Sequence, residues 1–70
     1  MASEEEAKKE LGERLRKARE QARLTQAEVA EKAGVHVNYY ARIERGEENP
    51  SYTKLQNIMK VLGIKSLNLS

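Results

Sequence analysis

The stretch LTQAEVAEKAGVHVNYYARIERG, residues 24–46, contains two short helical patterns separated by a glycine. Thr25 and Glu28 have the spacing of a capping box, which predicts that a helix begins directly after Thr25. Gly34 suits the left-handed position that commonly ends a helix. A further helical pattern follows almost at once and stops at Gly46. Two short helices joined by a turn of roughly three or four residues that contains glycine form a helix-turn-helix.

The residues before this stretch predict a long first helix. Ser3 and Glu6 form another capping box. Apolar residues then recur every three or four positions, as on one face of a helix of roughly five turns. This stripe consists of Ala7, Leu11, Leu15, Ala18 and Ala22. Gly12 lies off the stripe and costs about 1 kcal/mol relative to alanine, so the first turns are predicted to fray.

The residues after the stretch predict a polar loop and a fourth helix. The loop, residues 47–50, is Glu-Glu-Asn-Pro. Ser51 then has the position of a helix cap and Gly63 that of a helix stop. Between them lies an apolar stripe of helical period formed by Leu55, Ile58, Met59 and Leu62. The tail is too short for more than one turn of helix, so a short fifth helix is left open.

These patterns predict an all-α fold, a compact bundle of four helices in which helices 2 and 3 form the helix-turn-helix. A chain of 70 residues is expected to be one small domain. The domain is assigned to residues 1–70, with the helix-turn-helix motif at residues 25–45 and a C-terminal stub at residues 64–70.

Composition excludes several classes of function. The absence of cysteine excludes disulfides and thiolate metal sites, and a single histidine cannot complete a metal site, so no metal and no cofactor are predicted. Without a glycine-rich phosphate loop or a deep pocket there is no catalytic constellation, so the chain is not expected to be an enzyme. Short apolar runs predict no membrane segment, and the cytoplasm is the expected location. A net charge of +2 does not by itself indicate a nucleic-acid partner.

The third helix is predicted to have two different faces. A helix turns by about 100° per residue, so Tyr40 and Ile43 can share an inward face. Val37 and Tyr39 then lie on opposite flanks, and Glu44 lies beside the inner edge, where an arginine of helix 1 could meet it. The outward face consists of Asn38, Ala41, Arg42 and Arg45.

This outward face has a small side chain, Ala41, at its centre and long polar side chains at its edges. Such a face suits a DNA major groove better than a protein interface. Asparagine can pair with adenine and arginine with guanine, so Asn38 and Arg42 are predicted to read bases. Val37 is predicted to contact a thymine methyl group. The competing interpretation is that Asn38 and Arg42 are ordinary solvent-facing residues of a helix.

Other residues are candidates for contacts with the DNA backbone. The free amides and the dipole at the N-terminus of helix 2 favour an anion, which makes Thr25 and Gln26 phosphate candidates. Tyr39 could reach the sugar-phosphate backbone from the flank, or could instead pack on helix 4. His36 is interpreted as a turn residue near phosphate, and Tyr40 as a core residue with its hydroxyl at the rim.

The segment QAEVAEKAGVHVNYYARIER, residues 26–45, resembles the DNA-binding domains of the phage repressor, Cro and Xre-like helix-turn-helix family. The most specific pieces are LTQAEVAEKAGV and RIERGEENPS. The resemblance implies a lambda-repressor-like fold and a sequence-specific transcriptional regulator of double-stranded DNA, with a repressor or autoregulator as the expected role. It also implies a palindromic operator and a homodimer, including one that forms only on DNA.

The resemblance adds residues and also has departures. It implies backbone contacts from Arg45, Asn49 and Ser51, and a structural ion pair between Arg19 and Glu44. Three features depart from the family pattern: Tyr40 replaces the usual Ile or Val, His36 stands where a Ser or Thr cap is usual, and Glu47 and Glu48 occupy a loop that is basic in many relatives.

Two further classes of function compete with DNA reading. A protein-interaction module, coactivator-like or antitoxin-like, would use the same fold, and the acidic loop favours it. The outward face of helix 3 nevertheless lacks the large apolar anchor that usually dominates a protein interface. RNA binding is a weaker third reading, because the deep, narrow groove of an A-form helix blocks side chains.

Overall fold

The structure, a computed structural model, describes residues 3–65. These residues form four α-helices and no strand, which confirms the predicted all-α bundle. The helices are α1 (Glu4–Gln21), α2 (Gln26–Ala33), α3 (Val37–Glu44) and α4 (Tyr52–Leu62). The open question of a short fifth helix concerns residues 66–70, which lie outside the described residues.

Three of the helices begin at the caps that the sequence predicts. Ser3 caps α1 and Thr25 caps α2, each with a complete capping box, and the hydroxyl of Ser51 caps α4. Between α2 and α3 the chain turns at Gly34, whose φ is 74°, and the Val35 amide donates to the Ala30 carbonyl over 2.9 Å. These local bonds fix the helix-turn-helix.

The core lies where all four helices meet. Packing joins α1 to α3, and α2 to both α3 and α4. Tyr40 and Ile43 of α3 are completely buried, as is Ile58 of α4. The predicted stripe of α1 ends earlier than expected, because Ala22 is exposed. The other buried apolar residues are Leu11, Leu15, Val29, Ala30 and Ala33.

Gly12 lies on the packing face of α1, so the prediction that it lies off the buried stripe is wrong. The residue is buried, and α1 continues through it from Glu4. A β-carbon at Gly12 would lie 2.5 Å from the carbonyl oxygen of Glu44 and closer still to that of Ile43. The end of α3 therefore rests directly on the backbone of α1, which only glycine permits.

Candidate nucleic-acid interface

The third helix presents the predicted polar face. Its inward residues Tyr40 and Ile43 have no exposed surface, whereas Asn38, Arg42 and Arg45 are exposed. Val37, at the first turn, is 37% exposed although it is apolar. The side chains predicted to read bases are thus all exposed on one short helix. They belong to Val37, Asn38 and Arg42.

His36 is the N-cap of α3 despite being an unusual residue for that position. Its backbone is extended, with φ −72° and ψ 142°. Its Nδ1 accepts a hydrogen bond from the Asn38 amide over 3.1 Å. An imidazole nitrogen can accept only when it carries no proton, so Nδ1 is the acceptor atom of this cap. The ring of His36 thereby fixes the start of the helix that carries Asn38.

An ion pair lies beneath this helix and joins three helices. Arg19 of α1 donates to Glu44 of α3 through two nitrogens, Nε to Oε2 over 2.6 Å and Nη2 to Oε1 over 3.0 Å. Arg19 also donates from Nη1 to the Leu24 carbonyl over 3.0 Å. Gln26 of α2 donates to Glu44 Oε1 over 2.9 Å. The side chains of Arg19 and Glu44 are only 15% and 3% exposed, so the pair is shielded from solvent.

The electrostatics of this cluster follow from its burial. Burial alone would raise the pKa of Glu44, but its hydrogen bonds, above all that from Arg19, outweigh burial and lower this pKa. The hydrogen bond to Glu44 raises the pKa of Arg19. Both groups are therefore charged in the folded chain at neutral pH. Breaking such a pair by removing one partner leaves a buried charge without compensation.

The hydroxyl of Tyr40 lies inside the protein, which corrects the prediction that it sits at the rim. The hydroxyl oxygen is buried and has no hydrogen-bond partner within residues 3–65. Burial raises the pKa of Tyr40, and the nearby Glu44 carboxylate raises it further. Tyr40 is thus a neutral core residue whose polar end faces the ion pair.

The predicted phosphate contacts at the start of α2 differ from each other. Thr25 is exposed, and its hydroxyl accepts from the Glu28 amide over 3.0 Å in the capping box. Its own amide donates to the Glu28 carboxylate, and this bond lowers the pKa of Glu28. The side chain of Gln26 instead turns inward to Glu44, so its backbone amide is the group left for an anion.

The side chain of Tyr39 is partly buried and packs against the core. The Nζ atom of Lys54 lies 4.7 Å from the centre of this ring, a distance that allows a cation–π interaction. Lys54 was not among the predicted site residues. It follows Ser51 by three positions in the capped first turn of α4, and this spacing alone does not reveal its neighbour.

The loop after α3 supplies a carboxylate to each exposed arginine of the helix. Arg42 Nη2 lies 3.4 Å from Glu48 Oε2, and Arg45 Nη2 lies 3.1 Å from Glu47 Oε1. These pairs were not predicted, although the acidic loop was recognised as a departure. Asn49, further along the loop, is exposed, as is the cap residue Ser51.

Residues 3–65 contain neither a metal-binding cluster nor a membrane-spanning helix. No group of three or more His, Asp or Glu side chains is arranged to hold a metal ion there. In the same residues, no helix is both long and apolar enough to cross a membrane.

Comparison with known proteins places the chain in a family. Residues 15–69 match the model of the helix-turn-helix family. The chain is 40% identical over 55 residues to an immunity repressor protein of Bacillus phage phi105, covering 79% of this chain and 38% of the repressor. It is 38% identical over 54 residues to the uncharacterized HTH-type transcriptional regulator YqaE of Bacillus subtilis strain 168, covering 77% and 47%.

A third relative is matched over more of its own length. The chain is 31% identical over 62 residues to the uncharacterized HTH-type transcriptional regulator y4dJ of Sinorhizobium fredii, covering 89% of this chain and 80% of y4dJ. By contrast, the chain spans less than half the length of the two Bacillus relatives. The chain belongs to the helix-turn-helix family of the Xre and Cro type.

Proposed function

We propose that this chain is a sequence-specific double-stranded DNA-binding domain of a transcriptional regulator, acting as a repressor or autoregulator, with α3 in the major groove. The observation that carries the proposal is the exposed face of α3, where Asn38 and Arg42 project from a helix fixed on its other side by the core. The family and the name of the phage repressor support the same reading.

The base contacts are assigned to the first two turns of α3. Asn38 pairs with adenine and Arg42 with guanine, each pair contributing about 1–3 kcal/mol of discrimination against a wrong base. Val37 contacts a thymine methyl group, which its partial exposure supports. The cap at His36 and the ion pair beneath α3 support the proposal, because base readout needs side chains held in a fixed register.

The phosphate contacts are assigned to exposed groups around α3. On one side, the first turn of α2 contributes Thr25 and the backbone amide of Gln26, both at the positive end of the helix dipole. His36 and Tyr39 border α3, and the loop side contributes Arg45, Asn49 and Ser51. Contacts of this kind hold the protein in register and carry no sequence information.

The operator is proposed to be palindromic and bound by a homodimer, including a dimer that forms only on DNA. Helix-turn-helix dimers place their half-sites one helical turn apart, about 34 Å. The Cα atoms span 33 × 21 × 20 Å, so no dimension of the Cα trace exceeds this spacing. Sedimentation with and without operator tests this, since a strict one-to-one complex on a palindromic site would contradict it.

Selection of binding sites from random duplex DNA, repeated at several salt concentrations, tests the proposal as a whole. We expect an enriched motif for the wild-type chain and loss of preference at one base pair in Arg42→Ala. If no motif emerged and binding depended only on salt, the proposal would fail. Capture of protein partners would then test the alternative of an interaction module.

A further inference from the structure

The loop that follows α3 is tied back to Arg42. Gly46 has a φ of 77°, and directly after it the Glu47 amide donates to the Arg42 carbonyl over 2.9 Å. The turn also packs closely against α1, because a β-carbon at Gly46 would lie 2.8 Å from Cγ of Lys9. The backbone that leads to Glu48 is therefore fixed relative to Arg42 itself.

The two loop carboxylates differ in their exposure to solvent. The side chains of Glu47 and its partner Arg45 are 55% and 56% exposed, and Arg45 donates a hydrogen bond to Glu47 over 3.1 Å. The Glu48 side chain is only 33% exposed, and it reaches back from the loop to Arg42 on the helix. Glu48 is therefore the more shielded of the two carboxylates, and it contacts the arginine proposed to read a base.

We propose that Glu48 is a specificity-determining residue that positions Arg42 for base readout and limits its attraction to phosphates. This inference rests on the proposed function. The contact uses a single nitrogen of the guanidinium, at 3.4 Å, which leaves its other N–H groups available for the paired acceptors of guanine.

Two physical effects of Glu48 act in the same direction. A free arginine binds phosphate on any duplex, and this charge-driven term dominates non-specific binding. A carboxylate beside Arg42 offsets that charge and so weakens binding to every sequence. The same contact restricts the rotamers of a long side chain, which lowers the entropy lost when Arg42 meets guanine. Together these effects widen the gap between specific and non-specific affinity.

The test compares Glu48→Ala with its matched control Glu47→Ala. Dissociation constants are measured on the duplex selected by the wild-type chain, on the same duplex with the base pair read by Arg42 replaced, and on a random duplex, at several salt concentrations. Thermal melting establishes that each variant is folded. The same measurements on Arg42→Ala and on the double variant complete a double-mutant cycle.

We expect Glu48→Ala to bind random duplex more tightly than wild type does. The slope of the logarithm of its binding constant against the logarithm of the salt concentration should be steeper by up to about 1, as for one added phosphate contact. Its preference for the selected base pair should fall about threefold or more, part of the roughly 5- to 150-fold that an arginine–guanine pair provides. Glu47→Ala should change affinity for all duplexes by one common factor. In the Arg42→Ala background, removing Glu48 should leave the base preference unchanged.

Equal effects of the two loop variants on base preference would overturn this inference, as would an unchanged preference in Glu48→Ala. Both results would leave the proposed function in place, because the wild-type chain would still select a motif. A wild-type chain that selected no motif would instead overturn the proposed function and this inference with it.

Discussion

Replacement of Gly12 by alanine is expected to destabilise the fold, although alanine is the better helix former. Helix propensity alone would stabilise α1 by about 1 kcal/mol. The new β-carbon, however, would lie 2.5 Å from the Glu44 carbonyl oxygen and nearer to that of Ile43, and both opposing groups are backbone. Overpacking of this kind costs about 1–3 kcal/mol, and backbone atoms cannot rotate away as a side chain can.

The two contributions have opposite signs, so their sum is the quantity to measure. Taking about 3 kcal/mol for the steric cost and about 1 kcal/mol for the propensity gain predicts a net loss of about 2 kcal/mol. For a domain of this size such a loss lowers Tm by roughly 8–16 °C. Thermal unfolding followed by circular dichroism and urea unfolding at neutral pH both give this value.

A pair of variants at Glu13 supplies the control. Glu13 is the next residue of α1, its side chain is 58% exposed, and it pairs only at the surface with Lys17. Glu13→Ala and Glu13→Gly lose that pair equally, so the difference between them isolates helix propensity. The glycine variant should be less stable by about 1 kcal/mol. A Gly12→Ala variant that is more stable than wild type would refute the close contact between α1 and α3.

Three other substitutions test parts of the account. Glu44→Gln should lower the free energy of unfolding by about 3 kcal/mol in urea at neutral pH, because Arg19 loses its buried counter-charge. The folded state lowers the pKa of Glu44, so the stability that its carboxylate contributes is lost at low pH. The difference in stability between wild type and Glu44→Gln should therefore shrink as the pH falls below the ordinary pKa of 4.5. His36→Ala should lower the free energy of unfolding in urea by about 0.5–1 kcal/mol, because the hydrogen bond to the Asn38 amide is lost. His36→Ser should keep the stability of wild type in the same measurement, because a serine hydroxyl can also accept at a helix cap. Gly46→Ala should lower Tm, because left-handed backbone costs an alanine about 1–2 kcal/mol and its β-carbon would meet α1.

The helix boundaries could be predicted from the sequence because they depend on local chemistry. Ser3, Thr25 and Gly34 act within one turn of their own position, so spacing along the chain reveals their role. The orientation of α3 was equally accessible, since Tyr40 and Ile43 recur at helical period and must face inward together. These features need no knowledge of what packs against them.

The errors and omissions concern contacts between distant parts of the chain. Nothing local distinguishes a glycine that weakens a helix from one such as Gly12, on which another helix rests. Likewise the inward turn of Gln26 depends on Glu44, and the place of Lys54 depends on Tyr39. Each of these pairings requires the relative position of two helices, which one sequence does not supply.

The cap at His36 is an intermediate case. The residue type argued against a helix start, because imidazole is an uncommon cap. Its Nδ1 nevertheless lies at a spacing from the backbone that lets it accept from the amide two residues on, as asparagine and aspartate do. The boundary was therefore visible from the apolar period of α3, whereas the group that forms the cap was not.

Base discrimination by Arg42 shows whether α3 reads the DNA sequence. The measurement is the ratio of dissociation constants for the selected duplex and for duplexes carrying each single base-pair change, in wild type, Arg42→Ala and Lys60→Ala. Lys60 is the control because it is also an exposed cation but lies in the last turn of α4. We predict that Arg42→Ala loses discrimination at one base pair, by about 1–3 kcal/mol, while Lys60→Ala retains it. If both variants lost affinity equally for all duplexes and kept the wild-type discrimination, Arg42 would not read a base.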